Sequence, residues 1–536
     1  MAYTPEEKKI LAMYFTSTQD DVFALINLPE IVKGTLFSRY SRTAKDVRRL
    51  FLDEFFKEKQ LSSLFKKTGA PEGDLVDLEK AEDFYERILV GYGDDSVAEL
   101  GGAHIAIENL SMLATKSIEE HRIGLSPLEK STRYVYFDRK VNGEYLFYKD
   151  GRIMESKYKD MYIELNNLMF DTYSKIVREI QPILKKIIPG DESDIAYKFS
   201  IRAKACDLAR GLLPLSALTN MGVYGNGRAF EYLLTTLLND PLNEVKEIGK
   251  QMNKHLSHVI PVFVKRSVSE RGDIYRDYLA KTDSGIFFKK KITKHRPEIL
   301  RAASVKLVDY DKQIIEKIIT SILFAKTTLP YKKAYQQVLR MSKKDKEKIL
   351  KAYLSRRVIR QHKPGRAMEE GYIGFEIVAD WGVYKDLMRH RMLTRHKQLF
   401  TNELGYWIPK EIDYTGFGKL YRETLDQAIE VYGKIKKDFP YEAQYVVAHA
   451  AYNRFYMKMN IREAIHMSEL RSIPQGHPSY RHVAQEIAKE ISKKIPLLGK
   501  YGFLFTDYKN YELERLSAFK RIQEQAKKLG VKVFEE

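Results

Sequence analysis

One cysteine, Cys206, stands alone in 536 residues. A single thiol excludes a disulfide framework within the chain and any zinc site built on cysteines. No run of about 20 apolar residues occurs, so no membrane span is expected. The first residues, Met1 to Glu7, lack the basic start and apolar core of a secretion signal, and a cytoplasmic protein is expected. Long Lys/Arg tracts and low-complexity stretches are also missing. The formal net charge is nevertheless +19, from 91 basic and 72 acidic residues spread along the chain. Dispersed charge of this kind reads as a solvated, lysine-rich surface, although a phosphate-bearing ligand would use the same field locally. Hydrophobic content of 44% and charged content of 30% are ordinary for a globular protein, and the length accommodates two or more domains.

What is present is a sequence that occurs twice. His104-Ile105-Ala106-Ile107 alternates as a strand does and leads into a helical stretch ending at Glu120-His121-Arg122. Phe375-Glu376-Ile377-Val378 does the same and leads through Val383–Met388 to Arg389-His390-Arg391. An acidic residue, Glu99 or Glu369, precedes each strand. Arg210, in Ala209-Arg210-Gly211-Leu212-Leu213-Pro214, is followed sixteen residues on by Asn226-Gly227-Arg228; Gln444 is followed at the same distance by Asn460-Ile461-Arg462. A period of this length indicates a duplicated domain rather than a solenoid. Within the first repeat, Asn142-Gly143 lies between two β-prone runs, Val135–Phe137 and Tyr145–Tyr148, and predicts a hairpin insert at about 135–150. Glu155–Lys186 and Lys419–Lys437 read as helices, Thr4-Pro5-Glu6-Glu7 as a capped helix start, and Lys265–Arg301 as a charged, irregular connector.

The two copies have lost complementary parts of one motif. Ser126-Pro127-Leu128-Glu129-Lys130-Ser131-Thr132-Arg133-Tyr134 carries an SxxExSxRY tail, whereas Arg389-His390-Arg391 carries an RHR head. Together they resemble the RHRxxSxNExSxRY signature of the flavin-dependent thymidylate synthases. The resemblance implies an α+β fold: a tandem duplication of that family's domain, antiparallel or mixed sheet packed with long helices, forming a pseudo-dimer. The expected halves are 1–265 and 331–536, joined by 266–330. It further implies reductive methylation of dUMP to dTMP with FAD, methylenetetrahydrofolate as carbon donor and NADPH as reductant. A homodimer resembling the family's tetramer is expected, without membrane or nucleic-acid partners and without a metal.

By the same resemblance, dUMP is held by Glu129, Ser131, Arg133, Arg210, Arg389 and Arg471, and FAD by Arg389, His390, Arg391, Asn460, Arg462, His466 and Ser96. Arg471 is the expected catalytic residue. Arginine suits these tasks because its planar fork donates bidentately to phosphate and stays charged; beside a uracil edge it stabilises the N3-deprotonated ring. The losses sort by side: Leu237 and Tyr232 stand where the second copy has Arg471 and His466, while Gln444 and Thr401 stand where the first has Arg210 and Arg133. The family's HxSxxEH-like element lacks its histidine in both copies, reading Asp94-Asp95-Ser96-Val97-Ala98-Glu99 in the first. Two alternatives stay open: a flavoenzyme acting on another pyrimidine nucleotide or with another carbon donor, and a non-catalytic nucleotide- or nucleic-acid-binding paralogue. Cys206, within a helix-like stretch, is expected in the core rather than as a nucleophile.

Overall fold

The computed structural model describes residues 3–41, 43–56, 97–284 and 298–530. Its first helix begins where the local chemistry directs: Thr4 accepts from the Glu7 amide, Glu7 reaches back to the Thr4 amide, and Pro5 opens the helix Pro5–Tyr14. The chain divides into two compact units that cut across the linear order. One comprises residues 1–110, 114–129 and 219–294, the other 111–113, 130–218 and 295–536. Residues 130–218 of the first repeat therefore belong to the same unit as the whole second repeat.

The fold is α+β, and each unit carries a small sheet of the same plan. In the first unit the strands β1 (Gly102–Ser111), β2 (Leu125–Glu129) and β5 (Leu218–Asn226) lie in the order β1-β5-β2. In the second, β6 (Ser304–Tyr310), β7 (Tyr372–Asp380), β8 (Leu393–Lys397) and β9 (Tyr452–Asn460) form an antiparallel sheet in the order β6-β7-β9-β8. The registers repeat as well. Leu125 sits opposite Gly225, one residue before Asn226, and Leu393 sits opposite Met459, one residue before Asn460. Each asparagine then caps the following helix: Asn226 accepts from the Ala229 amide ahead of Gly227–Leu237, and Asn460 from the Glu463 amide ahead of Ile461–Arg471. Equivalent ion pairs close both elements, Arg228 to Glu99 at 2.7 Å and Arg462 to Glu369 at 2.6 Å.

The core of the second unit mixes the two repeats. The 29-residue helix Lys159–Ile187 buries Tyr162, Met169, Phe170, Tyr173 and Ile176 along one stripe, and packs on Ile195–Ala209 and on Gly418–Ile435. A buried Thr172–Thr424 hydrogen bond of 3.0 Å joins segments 252 residues apart. The hairpin insert is shorter than its β-prone flanks suggest: only β3 (Lys140–Val141) and β4 (Glu144–Tyr145) pair, around Asn142 and Gly143, both with positive φ. Of the expected irregular connector, residues 265–268 and Glu270–Ser284 are helical, whereas residues 298–301 are irregular as expected and lead to the edge strand β6. The connector's charges gave it a loop-like composition, but they pair along the helix surface, as Lys281 does with Asp277 one turn back at 2.6 Å. Among the described residues, no helix is long and apolar enough to cross a membrane.

Candidate functional site

The second unit gathers arginines from both repeats. Ser131 begins a turn after the first unit's β2, and its hydroxyl accepts from the Arg133 amide at 3.2 Å. Arg133 is thereby presented to the helix Ile195–Ala209, where its Nε and Nη2 donate to the two carboxylate oxygens of Asp207 at 2.8 and 2.9 Å. Its Nη1 donates to the Tyr480 hydroxyl at 3.1 Å. Asp207 is buried and also accepts from Arg515 at 2.7 Å. Burial opposes its charge, but Arg133 and Arg515 hold it well below the usual carboxylate range.

One helical turn further, Arg210 is 3% exposed and its Nη2 has no hydrogen-bond partner. An orphaned guanidinium donor at this depth costs about 1–3 kcal/mol unless something fills the role. Space for it comes from Gly382, in the helix Trp381–Leu387, where a Cβ would stand 2.7 Å from Arg210 Nη2. Asp386 on the same helix lies 3.9 Å from Arg210 Nη1. Burial pushes the Asp386 carboxyl up, but Arg210, Arg389, Arg471 and Arg133 together outweigh it and leave it below the ordinary value. Four arginines, two from each repeat, thus share the field of one carboxylate.

Arg471 ends the helix that Asn460 begins. Its Nε donates to His390 Nε2 at 2.9 Å, and His390 Nδ1 lies 2.6 Å from Glu463 Oε1. Because Nε2 accepts, the proton of the neutral ring is on Nδ1, and it is donated to Glu463. Burial first, and then the neighbouring Arg471 charge, keep His390 well below its usual pKa and hence neutral. Burial raises Glu463 to about 7. The terminal nitrogens of Arg471 have no hydrogen-bond partner among the described residues, and its guanidinium stands 5.9 Å from the Tyr480 ring centroid, against 5.6 Å for Arg133.

A cleft of about 140 Å³ opens beside this array, lined by Asn460, Arg462, His466, Arg360, Lys363 and Met392 among others. Arg462 is spent on Glu369 and on the Pro364 carbonyl, and Arg357 on Glu469 at 3.0 Å. Arg360 and Lys363 have no ion-pair partner among the described residues. His466 faces His390, ring centroids 5.5 Å apart, and burial lowers its pKa.

Of the residues expected from sequence, Ser131, Arg133, Arg210, Arg389, His390, Arg391, Asn460, Arg462, His466 and Arg471 all lie in this one unit. Arg389 and Arg391 are exposed at the end of Trp381–Leu387. Glu129 ends β2 of the first unit; its side chain is fully enclosed and accepts from Lys116 at 3.1 Å. Ser96 lies outside the described residues. Cys206 is fully buried, its thiol pushed up to about 12 by burial, as a core residue would be. Sequence reasoning did not single out Asp207, Asp386, Glu463 or Tyr480. The one local signal was spacing, since Asp207 and Asp386 each stand three residues before a site arginine.

A family model described as thymidylate synthase complementing protein matches residues 45–262 and again residues 292–497. The chain belongs to this family, the flavin-dependent thymidylate synthases. The double match agrees with the repeated strand order and register. Two UPF0159 proteins are similar over nearly their whole length: one from Chlamydia pneumoniae, 40% identical over 96% of this chain and 97% of its own, and one from Chlamydia muridarum, 41% identical over the same shares. A UPF0159 protein of Thermoplasma acidophilum is 32% identical over 91% of this chain and 98% of its own. A UMP/dUMP methylase of Streptomyces cacaoi, solved with 5-Br dUMP, is 16% identical and covers 39% of this chain and 98% of its own at a TM-score of 0.32, a likeness too slight to carry an argument.

Proposed function

We propose that this family member is a working thymidylate synthase with one composite site per chain, converting dUMP to dTMP with FAD, methylenetetrahydrofolate and NADPH. The observation that supports this reading best is the buried Arg210 guanidinium, 3.9 Å from Asp386 and with an unpartnered Nη2, in a unit that also holds Arg133, Arg389 and Arg471. Such an excess of cationic donors suits a nucleotide dianion, and Arg210 Nη2 offers a buried donor with no other partner. Arg133, fixed by Asp207 and Tyr480, and Arg389 complete the phosphate cradle. Arg471 is locked through Nε by His390 and Glu463, so its terminal nitrogens are aimed. Directed at the uracil edge, they stabilise negative charge at N3, which raises electron density at C5, where the new carbon is attached.

The donor set suits a flavin dinucleotide: Arg360 and Lys363, without ion-pair partners among the described residues, would take its pyrophosphate together with Arg391, and His466 and Asn460 of the cleft lining would lie against it. Bound FAD supplies the hydride chemistry. We read the chain as two fused half-domains, about 1–265 and 331–536 joined by 266–330, packed as a pseudo-dimer, with two chains making the equivalent of the family's tetramer. The test is product analysis: dTMP should form from dUMP only when FAD, a reductant and methylenetetrahydrofolate are all supplied, and Arg471→Ala should abolish it. Turnover of a different pyrimidine nucleotide, or normal turnover by Arg471→Ala, would contradict the proposal.

A further inference from the structure

The first unit holds a cleft at the position where the second unit has its own. It measures about 550 Å³ and is lined by Arg228, Tyr232, Arg266, Arg271, Tyr275 and Tyr278, among others. Its floor is the helix Gly227–Leu237, entered from β5 through the Asn226 cap, as Ile461–Arg471 is entered from β9 through Asn460. At matched distances from the caps, Arg228 corresponds to Arg462 and Tyr232 to His466. Both arginines line their clefts and both make the same acidic pair, with Glu99 and Glu369.

The chemistry has nevertheless changed direction. Ala229 and Thr235 stand where the second unit has Glu463 and Glu469, so two carboxylates are gone. Within the cleft Glu231 remains as the acidic side chain, 4.0 Å from Arg266. Arg271 has no hydrogen-bond or ion-pair partner among the described residues. The aromatic content has risen: Tyr232, Tyr275 and Tyr278 are 51%, 38% and 59% exposed. Tyr275 and Tyr278, on the helix Glu270–Ser284, present near-parallel rings, 11° apart in plane with centroids at 6.1 Å. Exposed tyrosine faces stack on planar rings, and guanidinium forks take phosphate.

We propose that this cleft is a second ligand site, distinct from the composite site, and that it binds a nucleoside phosphate, with the base on the tyrosines and the phosphate on Arg271 and Arg266. The proposal does not depend on the composite site being active. Isothermal titration of the full-length chain carrying Arg471→Ala, with AMP, GMP, CMP, UMP and dTMP in turn, tests it. At least one nucleotide should bind, and Arg271→Ala and Tyr278→Ala, each added separately, should weaken that binding about tenfold or more, as loss of a charge-assisted contact or a stacking face would. Both side chains are exposed, and circular dichroism of each variant confirms the fold; if one variant fails to fold, the other decides. No binding of any nucleotide, or affinities unchanged in both variants, overturns the proposal. Binding of single-stranded oligothymidylate without binding of any mononucleotide overturns it in favour of a nucleic-acid groove. Self-association lost in Tyr278→Ala, without nucleotide binding, overturns it in favour of a subunit interface.

Discussion

Glu463 shows how little of a site's electrostatics is written next to its motif. It lies immediately after Arg462 of the NxR element, yet its carboxyl titrates near 7 because it is enclosed against His390. A folded-state value above the unfolded one of 4.5 means that the folded chain holds this proton more tightly. The contribution of Glu463 to stability is then full below pH 4.5 and is lost as the pH rises through 7. Relative to Glu463→Gln, the wild type should lose about 3 kcal/mol over that interval and nothing further above pH 8. Denaturant unfolding monitored across pH 4.5–8.5 checks this, and a constant difference would contradict it. The arginines and His390 were legible because motif spacing marks them. Their partners were not: Asp207 lies 74 residues from Arg133, and Tyr480 lies 347 residues away. Only tertiary packing brings such groups together. The enclosure of Glu129 with Lys116 was likewise invisible, since a motif states which residue is present but not which way it faces.

The elements were more legible than the contacts between them. Both strand–helix repeats, the Thr4 cap, the Asn-Gly turn and the long helices follow from periodicity and turn chemistry. The helix Glu270–Ser284 did not, because surface ion pairs leave no apolar stripe to read. Within the helix Trp381–Leu387, Gly382 has a definite task, to leave room for the Arg210 guanidinium. Gly382→Ala should therefore cost about 1–3 kcal/mol by overpacking and weaken dUMP binding by displacing Arg210. Gly433, in the helix Gly418–Ile435, faces open space, so Gly433→Ala should instead stabilise by about 0.5–1 kcal/mol and leave dUMP binding unchanged. Thermal melts and dUMP titrations of the two variants check both statements. Equal dUMP affinity for Gly382→Ala and wild type would remove Arg210 from the site.

At the scale of the whole chain, duplication was legible from spacing, whereas the discontinuous units were not, because no linear signal tells residues 130–218 to leave their own repeat. That exchange puts Arg133 and Arg471 in one compact unit. Mixing chains that carry Arg133→Ala with chains that carry Arg471→Ala should consequently restore little activity, and substantial rescue would place the two sides of the site on different chains. A composite site of this kind requires one chain to stack a flavin against a nucleotide. The visible absorption spectrum of the purified protein, reconstituted with FAD, freed of excess and titrated with dUMP, tests this most directly. A retained flavin whose spectrum shifts on adding dUMP, with the shift lost in Arg210→Ala, is the predicted result. A chain that retains no flavin, or whose flavin spectrum does not respond to dUMP, would contradict the composite site.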